Sequence, residues 1–294
     1  MSGGAVEFLS GWQRMRLDTV HAGRKDYGKG RSDVTVLSYY WGESPGNAEA
    51  RFYRTESAFR ETWLHCGMMK SVVVTDRMTP GLKRFAEEFS AVEIQVEPSL
   101  VPGDLLSMSR DCDGKFASRF DTEYLLVVQD DGFPLRGGLD EFIGNWDFIG
   151  PPYVCDKWLQ RFVARTLNLW TSNGGFSLRT HRMCELAAWY FKKRWHKCMD
   201  PLVVGEDAYY TSTLLKHHWK YNRTMRMADN RSAVRFAWDI LVPQNVKVQP
   251  FGFHRAETFK WLAEHSSAIS TKDSGDGQTV FGQNGQNSQN SQIK

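Results

Sequence analysis

Tyr124-Leu125-Leu126-Val127-Val128-Gln129-Asp130-Asp131-Gly132 is the stretch that decides the fold. Its first five residues are apolar without alternation. That pattern marks a strand buried on both faces, as in a parallel sheet. A sheet of this kind needs helices over both faces, and the flanking sequence supplies strand and helix patterns in turn. Residues 34–39 (Val-Thr-Val-Leu-Ser-Tyr) read as a strand, and residues 50–66 as a helix with Phe52, Phe59, Trp63 and Leu64 on one side. Residues 71–75 (Ser-Val-Val-Val-Thr) read as a second strand, and residues 80–89 as a helix with Pro80 at its start. Residues 92–96 read as a third strand. The expected fold is α/β: a single domain with a mostly parallel central sheet flanked by helices.

Composition agrees with one folded body. The chain has 294 residues, 41% hydrophobic and 24% charged, which excludes a mainly disordered protein. The formal net charge of +3 names no partner, whereas eleven Trp exceed what a generic core requires. The longest apolar runs, residues 124–128 and 71–74, fall far short of the roughly 20 residues a spanning helix needs. No long apolar segment opens the sequence, so no secretory signal is expected. Cys66, Cys112, Cys155, Cys184 and Cys198 are irregularly spaced and form no Cys-x-x-Cys pair, which argues against a disulfide framework and a structural zinc. The expected setting is the cytoplasm. Residues 1–32 are expected to be a mobile arm, with Val6, Phe8, Leu9, Trp12 and Met15 able to dock as a short helix. The folded domain is placed at residues 33–265. Residues 266–294, rich in Gln, Asn, Ser and Gly, have almost nothing apolar to bury and are expected to be disordered.

In open parallel sheets, ligands sit beyond the carboxyl ends of the strands. Three segments occupy such ends: Ser38-Tyr39-Tyr40-Trp41, Thr75-Asp76, and Gln129-Asp130-Asp131-Gly132. The last carries the sharpest chemistry. Adjacent carboxylates repel, and burying them uncompensated costs several kcal/mol. A hard divalent cation offsets that cost through one or two carboxylates, with phosphate oxygens and water completing the shell. A polar turn cap is the plainer reading of the same residues. Asn173-Gly174-Gly175-Phe176-Ser177-Leu178-Arg179 has paired glycines, either a simple turn or a close approach of backbone to a ligand. Gly205-Glu206-Asp207 precedes a helical stretch, where acids act as caps or as site residues. Phe251-Gly252-Phe253-His254 ends an extended apolar segment in an imidazole.

Together, and in this order, these segments and Trp146-Asp147-Phe148-Ile149-Gly150-Pro151-Pro152-Tyr153 resemble a family of glycosyltransferases. Its members typically read Q-W-D-G-F, Y-D-Y-I-G-A-P-W, G-N-G-G-F-S-L-R-S, P-E-D and F-G-F-H. More distantly, the set is similar to the β1,3-galactosyltransferase type. The resemblance covers residues 33–254, is densest over 124–207, and implies a GT-A fold. One departure is clear: the aromatic the family places between Gln and Asp is Asp130 here.

The resemblance implies transfer of a sugar from a nucleoside-diphosphate sugar to an acceptor hydroxyl. It places a divalent cation, Mn²⁺ ahead of Mg²⁺, on Asp131 with Gln129 and His254 nearby. Asp130 is then either an extra ligand or a contact to the donor sugar or ribose. Asp207 is the implied general base, and a single base predicts inversion. Glu206 is either the base or a group that orients the acceptor. Tyr39, Tyr40 and Trp41 are placed to stack on a nucleobase, and Asp76 to accept from a ribose or base. Gly174 and Gly175 would let backbone approach the donor sugar, and Arg179 would pair with pyrophosphate or form a structural ion pair. Two other readings are open: a two-carboxylate glycosidase on Asp131 and Asp207, and a carbohydrate- or nucleic-acid-binding module without catalysis.

Residues 157–198 carry nine cations against one acid, Glu185. The segment is either two helices with solvated basic faces or a surface for an anionic acceptor. Such an acceptor would be an acidic glycan, a lipid-linked diphosphate at the inner membrane surface, or a nucleic acid. Trp41, Trp158 and Trp170 fall where a sugar or base would stack, and Trp63 and Trp189 fit helix packing. The sequons at Asn222 and Asn230 are read as coincidental.

Overall fold

The computed structural model describes residues 3–40, 48–152, 174–192, 225–239 and 249–265. Trp41, Trp158, Trp170, Glu206, Asp207 and Asn222 lie outside the described residues.

Strand β1 (Val34–Tyr40) is central. It pairs in parallel with β2 (Ser71–Thr75) on one side and β4 (Tyr124–Val127) on the other, and β2 pairs in parallel with β3 (Val92–Val96). Two further strands, β5 (Phe148–Ile149) and β6 (Ser177–Thr180), extend the sheet in the order β3-β2-β1-β4-β6-β5. Strand β6 runs antiparallel to both its neighbours, so the sheet is mixed but mostly parallel.

Side-chain alternation divides the core into two layers. Val34, Val36, Val73, Tyr124 and Leu126 face helices α2 (Ala48–Cys66) and α3 (Pro80–Glu88). Phe52, Phe59 and Trp63 of α2 and Phe85 of α3 fill that layer, each contributing roughly 1.5–3 kcal/mol of apolar burial. Leu37, Val72, Val74, Leu125 and Val127 face the other side, where α4 (Leu105–Arg119) and α5 (His181–Lys192) pack. Thr79 caps α3 by accepting from the Leu82 amide at 3.3 Å, just before Pro80.

A third cluster lies beside the sheet. Here α1 (Gly3–Thr19) packs on α2 and on α7 (Ala256–Glu264). A short helix α6 (Asn230–Phe236) leads into β7 (Ala237–Trp238), which pairs in parallel with β8 (Gly252–Phe253). Ala5, Leu9, Phe133, Trp238, Phe253, Phe259 and Leu262 form its core. The first 32 residues are therefore not an arm beside the domain: α1 buries one face in this cluster, and Tyr27 belongs to the main core.

Polar side chains fix α1 as well. Arg16 donates to both carboxylate oxygens of Glu61, at 2.7 and 3.0 Å, and Glu61 also meets His21 Nε2 at 2.8 Å. Burial works against the Glu61 charge, but His21 and Arg16 outweigh it and hold the carboxyl down at about 2. Trp189 of α5 does not fit the helix-packing expectation, because 47% of it is exposed. Among the described residues, no helix is long and apolar enough to cross a membrane.

Candidate functional site

Strand β4 ends in a two-residue reverse turn. Gln129 and Gly132 exchange both backbone hydrogen bonds at 3.0 Å, which leaves Asp130 and Asp131 at the tip. Neither acid has a positive φ, and Gly132 is not left-handed either. The glycine is needed for room rather than for the turn: a Cβ there would meet His254 Cδ2 and the Phe253 carbonyl, both at 3.1 Å.

Both carbonyls at the tip are held from distant parts of the chain. Gln13 of α1, fully buried, donates its side-chain amide to the Asp130 carbonyl at 2.7 Å. The Arg255 amide donates to the Asp131 carbonyl at 2.7 Å. Arg255 has φ 77° and ψ 142°, the one positive φ outside glycine among the described residues. Such a conformation persists only where its surroundings enforce it.

The two acids face different partners. The Asp130 carboxylate meets Arg54 of α2 at 3.1 Å. Asp131 Oδ1 lies 3.8 Å from His254 Nε2, and the same nitrogen is 3.2 Å from Gln129 Oε1. Asp131 is thus the carboxylate that joins Gln129 and His254, while Asp130 is turned to a cation on α2.

His254 is placed by the third cluster. Each residue in this group has an apolar neighbour anchored there: Phe133 follows Gly132, Phe253 precedes His254, and Trp238 precedes Asp239. Phe133 and Phe253 pack edge to face at 4.7 Å, and Trp12 of α1 stacks on Phe133 at 5.9 Å. The His254 amide donates to the Trp238 carbonyl at 2.8 Å. Only 9% of His254 is exposed, and its ring lies against Gly175. A Cβ at Gly175 would fall 2.7 Å from Cδ2 and Cε1 and closer still to Nε2. The three glycines therefore make space within the protein. Gly132 and Gly175 admit the imidazole, and Gly252 admits Phe176, whose Cζ would sit 2.6 Å from a Cβ there. Burial alone would lower the His254 pKa, but Asp239 and then Asp131 overcome it, so the imidazole is raised above its ordinary value.

Several expectations need correction. Gly175 approaches His254 rather than a donor sugar, and the Gly174 carbonyl accepts from Ser177 Oγ at 2.9 Å. Arg179 is fully buried in β6, paired across the sheet with Leu125 and Phe148. Its guanidinium lies over the rings of Phe116 (4.9 Å) and Phe148 (5.3 Å), and its Nε donates to Ser177 Oγ at 3.1 Å. It is neither a pyrophosphate clamp nor part of a basic face. Tyr40 is buried edge to face on Phe52 at 5.5 Å, so its ring serves the core instead of a nucleobase. The Tyr39 hydroxyl donates to Asp111 at 2.6 Å and its ring packs near Phe116. Burial, with Cys112 and Asp111 alongside, pushes that phenol well above its ordinary value. Asp76 does stand at the carboxyl end of β2, where it pairs with Arg77 at 2.5 Å. Trp41, Glu206 and Asp207 lie outside the described residues.

Among the described residues, no three His, Cys, Asp or Glu side chains form a group that could hold a metal unaided. The turn instead brings together one carboxylate, one amide oxygen and one imidazole. Oxygen donors with a neutral imidazole suit part of a Mn²⁺ or Mg²⁺ shell, with phosphate oxygens and water in the other positions. Gln13, Arg54, Asp239 and Arg255 were not legible as site residues. For Gln13 a sequence signal exists: with Arg16 it lies on the same helical stripe as Ala5 and Leu9, a polar pair on an apolar face. For Asp239 there is none.

Residues 112–254 match a family model described as a protein of unknown function (DUF5672). The match covers just under half of the chain, beginning within α4 and ending on His254. It spans the acidic turn, Gly175, Asp239 and His254. No curated protein matches the chain.

Proposed function

We propose that the chain is a metal-dependent glycosyltransferase that moves a sugar from a nucleoside-diphosphate sugar to an acceptor hydroxyl with inversion. One observation carries this reading. Asp131, Gln129 and His254 converge just beyond the carboxyl end of a buried strand, next to the position where strand order reverses between β1 and β4. The resemblance of five ordered motifs to glycosyltransferases supports the same reading.

Asp131, Gln129 and His254 would hold Mn²⁺ or Mg²⁺, which when bound neutralises charge growing on the leaving diphosphate. The protein's own part is positional. Gln13 and the Arg255 amide keep the turn rigid. Arg54 balances the second carboxylate, so that of the two turn acids Asp131 is the one that faces the imidazole. Asp207 takes the proton of the acceptor hydroxyl as the acceptor oxygen bonds to the anomeric carbon and the bond to phosphate breaks. Glu206 beside it orients the acceptor. The acceptor class proposed is anionic, met by the cations of residues 157–198 other than Arg179, and the proposed setting is cytoplasmic.

The test is a panel of nucleotide sugars with Mn²⁺, read by thermal shift and donor hydrolysis. A donor at 100 times its Kd adds about 2.7 kcal/mol, which is roughly 5–10 °C for a domain of this size. A chelator is expected to abolish both the shift and the turnover. Asp207→Asn should keep the donor shift and lose turnover. No shift with any donor, or turnover indifferent to the chelator, would overturn the proposal.

A further inference from the structure

Parallel pairing of β7 with β8 sets Ala237 opposite Gly252 and Trp238 opposite Phe253. The next residue on each strand is therefore Asp239 on one and His254 on the other, side by side at the carboxyl ends. The two strands are locked in this register by the His254 amide, which donates to the Trp238 carbonyl at 2.8 Å. Trp238 and Phe253, one residue earlier, are fully buried.

The imidazole thus has two differently furnished edges. Its Nε2 edge faces Gln129 Oε1 at 3.2 Å and Asp131 Oδ1 at 3.8 Å. Its Nδ1 edge is buried and faces Asp239 Oδ1 at 3.7 Å, about 0.8 Å beyond an ordinary N–H···O bond. Asp239 Oδ1 is in turn 2.9 Å from Arg255 Nε, so the carboxylate lies between a cation and the ring. Gly132 and Gly175 close on the ring itself.

We propose that Asp239 is a positioning residue, which accepts the Nδ1 proton of His254 and so presents the Nε2 lone pair to the site shared with Asp131 and Gln129. The inference rests on the metal-dependent reading in its consequence, though not in its geometry. A neutral imidazole in water carries its proton on either nitrogen, and the partner of one nitrogen decides what the other can do. A carboxylate behind the ring fixes the tautomer and the ring plane, and loss of such a partner typically costs 10–100-fold in metal affinity. The strained backbone of Arg255, whose side chain meets Asp239 and whose amide meets the Asp131 carbonyl, ties the two carboxylates around the ring together.

The experiment uses Asp239→Asn, which keeps side-chain volume and can donate to Nδ1, alongside Asp239→Glu, which keeps the charge. The tautomer of His254 is read by long-range ¹⁵N NMR of histidine-labelled full-length protein, without metal, at a pH where the ring is neutral. The peak is assigned with His254→Gln. Mn²⁺ affinity is measured separately by electron paramagnetic resonance with the metal alone. The expected result is an Nδ1–H ring in the parent protein and a shift toward Nε2–H in Asp239→Asn. Mn²⁺ binding weakens at least 10-fold in that variant and is partly rescued in Asp239→Glu. An Nε2–H ring in the parent, or an Asp239→Asn variant with the parent's tautomer, overturns the proposal. Unchanged Mn²⁺ affinity in Asp239→Asn, where the parent does bind, overturns it as well. If the parent binds no Mn²⁺ at all, the metal-dependent reading fails, and the tautomer alone still decides the role of Asp239.

Discussion

Gly175→Ala is the most direct test of how the site is packed. The three heavy atoms nearest a Cβ at this position all belong to the His254 imidazole, two of them at 2.7 Å. Real Cβ contacts begin at 3.0 Å and are ordinary from 3.4 Å, so the ring must give way by about 0.7 Å or more. It has little freedom to do so. Gly132 also lies against it, Gln129 Oε1 stands 3.2 Å from Nε2, and its backbone is pinned to Trp238. Overpacking of this kind costs about 1–3 kcal/mol. Gly175 is not left-handed, so alanine brings no backbone strain and stiffens the unfolded chain by about 0.4–1 kcal/mol in favour of the fold. The net expectation is a loss of about 1–2 kcal/mol.

The decisive measurement is a double-mutant cycle by urea unfolding. In a His254→Ala background the obstructing ring is gone, and Gly175→Ala should then be neutral or slightly stabilising, which gives a coupling of roughly 2 kcal/mol. Equal costs in the two backgrounds would show that Gly175 is small for some reason other than the imidazole, and the account of the site would fall. In the same series, Mn²⁺ affinity should drop with Gly175→Ala, since an imidazole displaced by this much no longer faces Asp131.

Two further outcomes follow from the anchoring of α1. Gln13→Met keeps length and apolar contact but withdraws the donor from the Asp130 carbonyl, and should cost about 1–2 kcal/mol in urea unfolding. A change below a few tenths would mean that the turn is held elsewhere. Acid should weaken the fold in two steps. Burial depresses His65 from 6.5 to about 4 despite the nearby Glu61 charge, so the unfolded chain takes up a proton first and stability falls below pH 6.5. Glu61, depressed from 4.5 to about 2, contributes stability above pH 4.5 that is lost as pH falls through that range, on the order of 3 kcal/mol. His254, raised, acts in the opposite sense: its contribution is complete below pH 6.5 and declines as pH rises through its folded value. The urea midpoint of Glu61→Gln measured from pH 7 to 3 checks the carboxylate step, which should be absent in that variant.

The sequence by itself determined the four parallel strands, the two helices over one face, and the acidic turn after β4. These features are local: an unbroken apolar run, a 3.6-residue apolar stripe and Asp-Asp-Gly are each visible within a short window. Helix α4 escaped because its buried stripe of Met108, Cys112 and Phe116 is interleaved with Ser, Asp and Gly, which lower helix propensity. Strand β6 escaped because two glycines precede it and a buried Arg179 interrupts its apolar pattern, balanced by rings that come from α4 and β5.

Only the tertiary structure decided what the site residues do. It separated two adjacent acids by giving Asp130 a cation from α2 and Asp131 an imidazole more than a hundred residues away. It turned Gly175 from a ligand cradle into clearance for His254, and gave Gly252 the same use for Phe176. It also set Asp239 behind that histidine through the register of a two-residue strand pair. Composition and spacing carry no such information, because a side chain's role follows from its neighbours in space. Here those neighbours arrive from α1, β4, β7 and β8, which meet only when the apolar residues beside each of them collapse into one cluster.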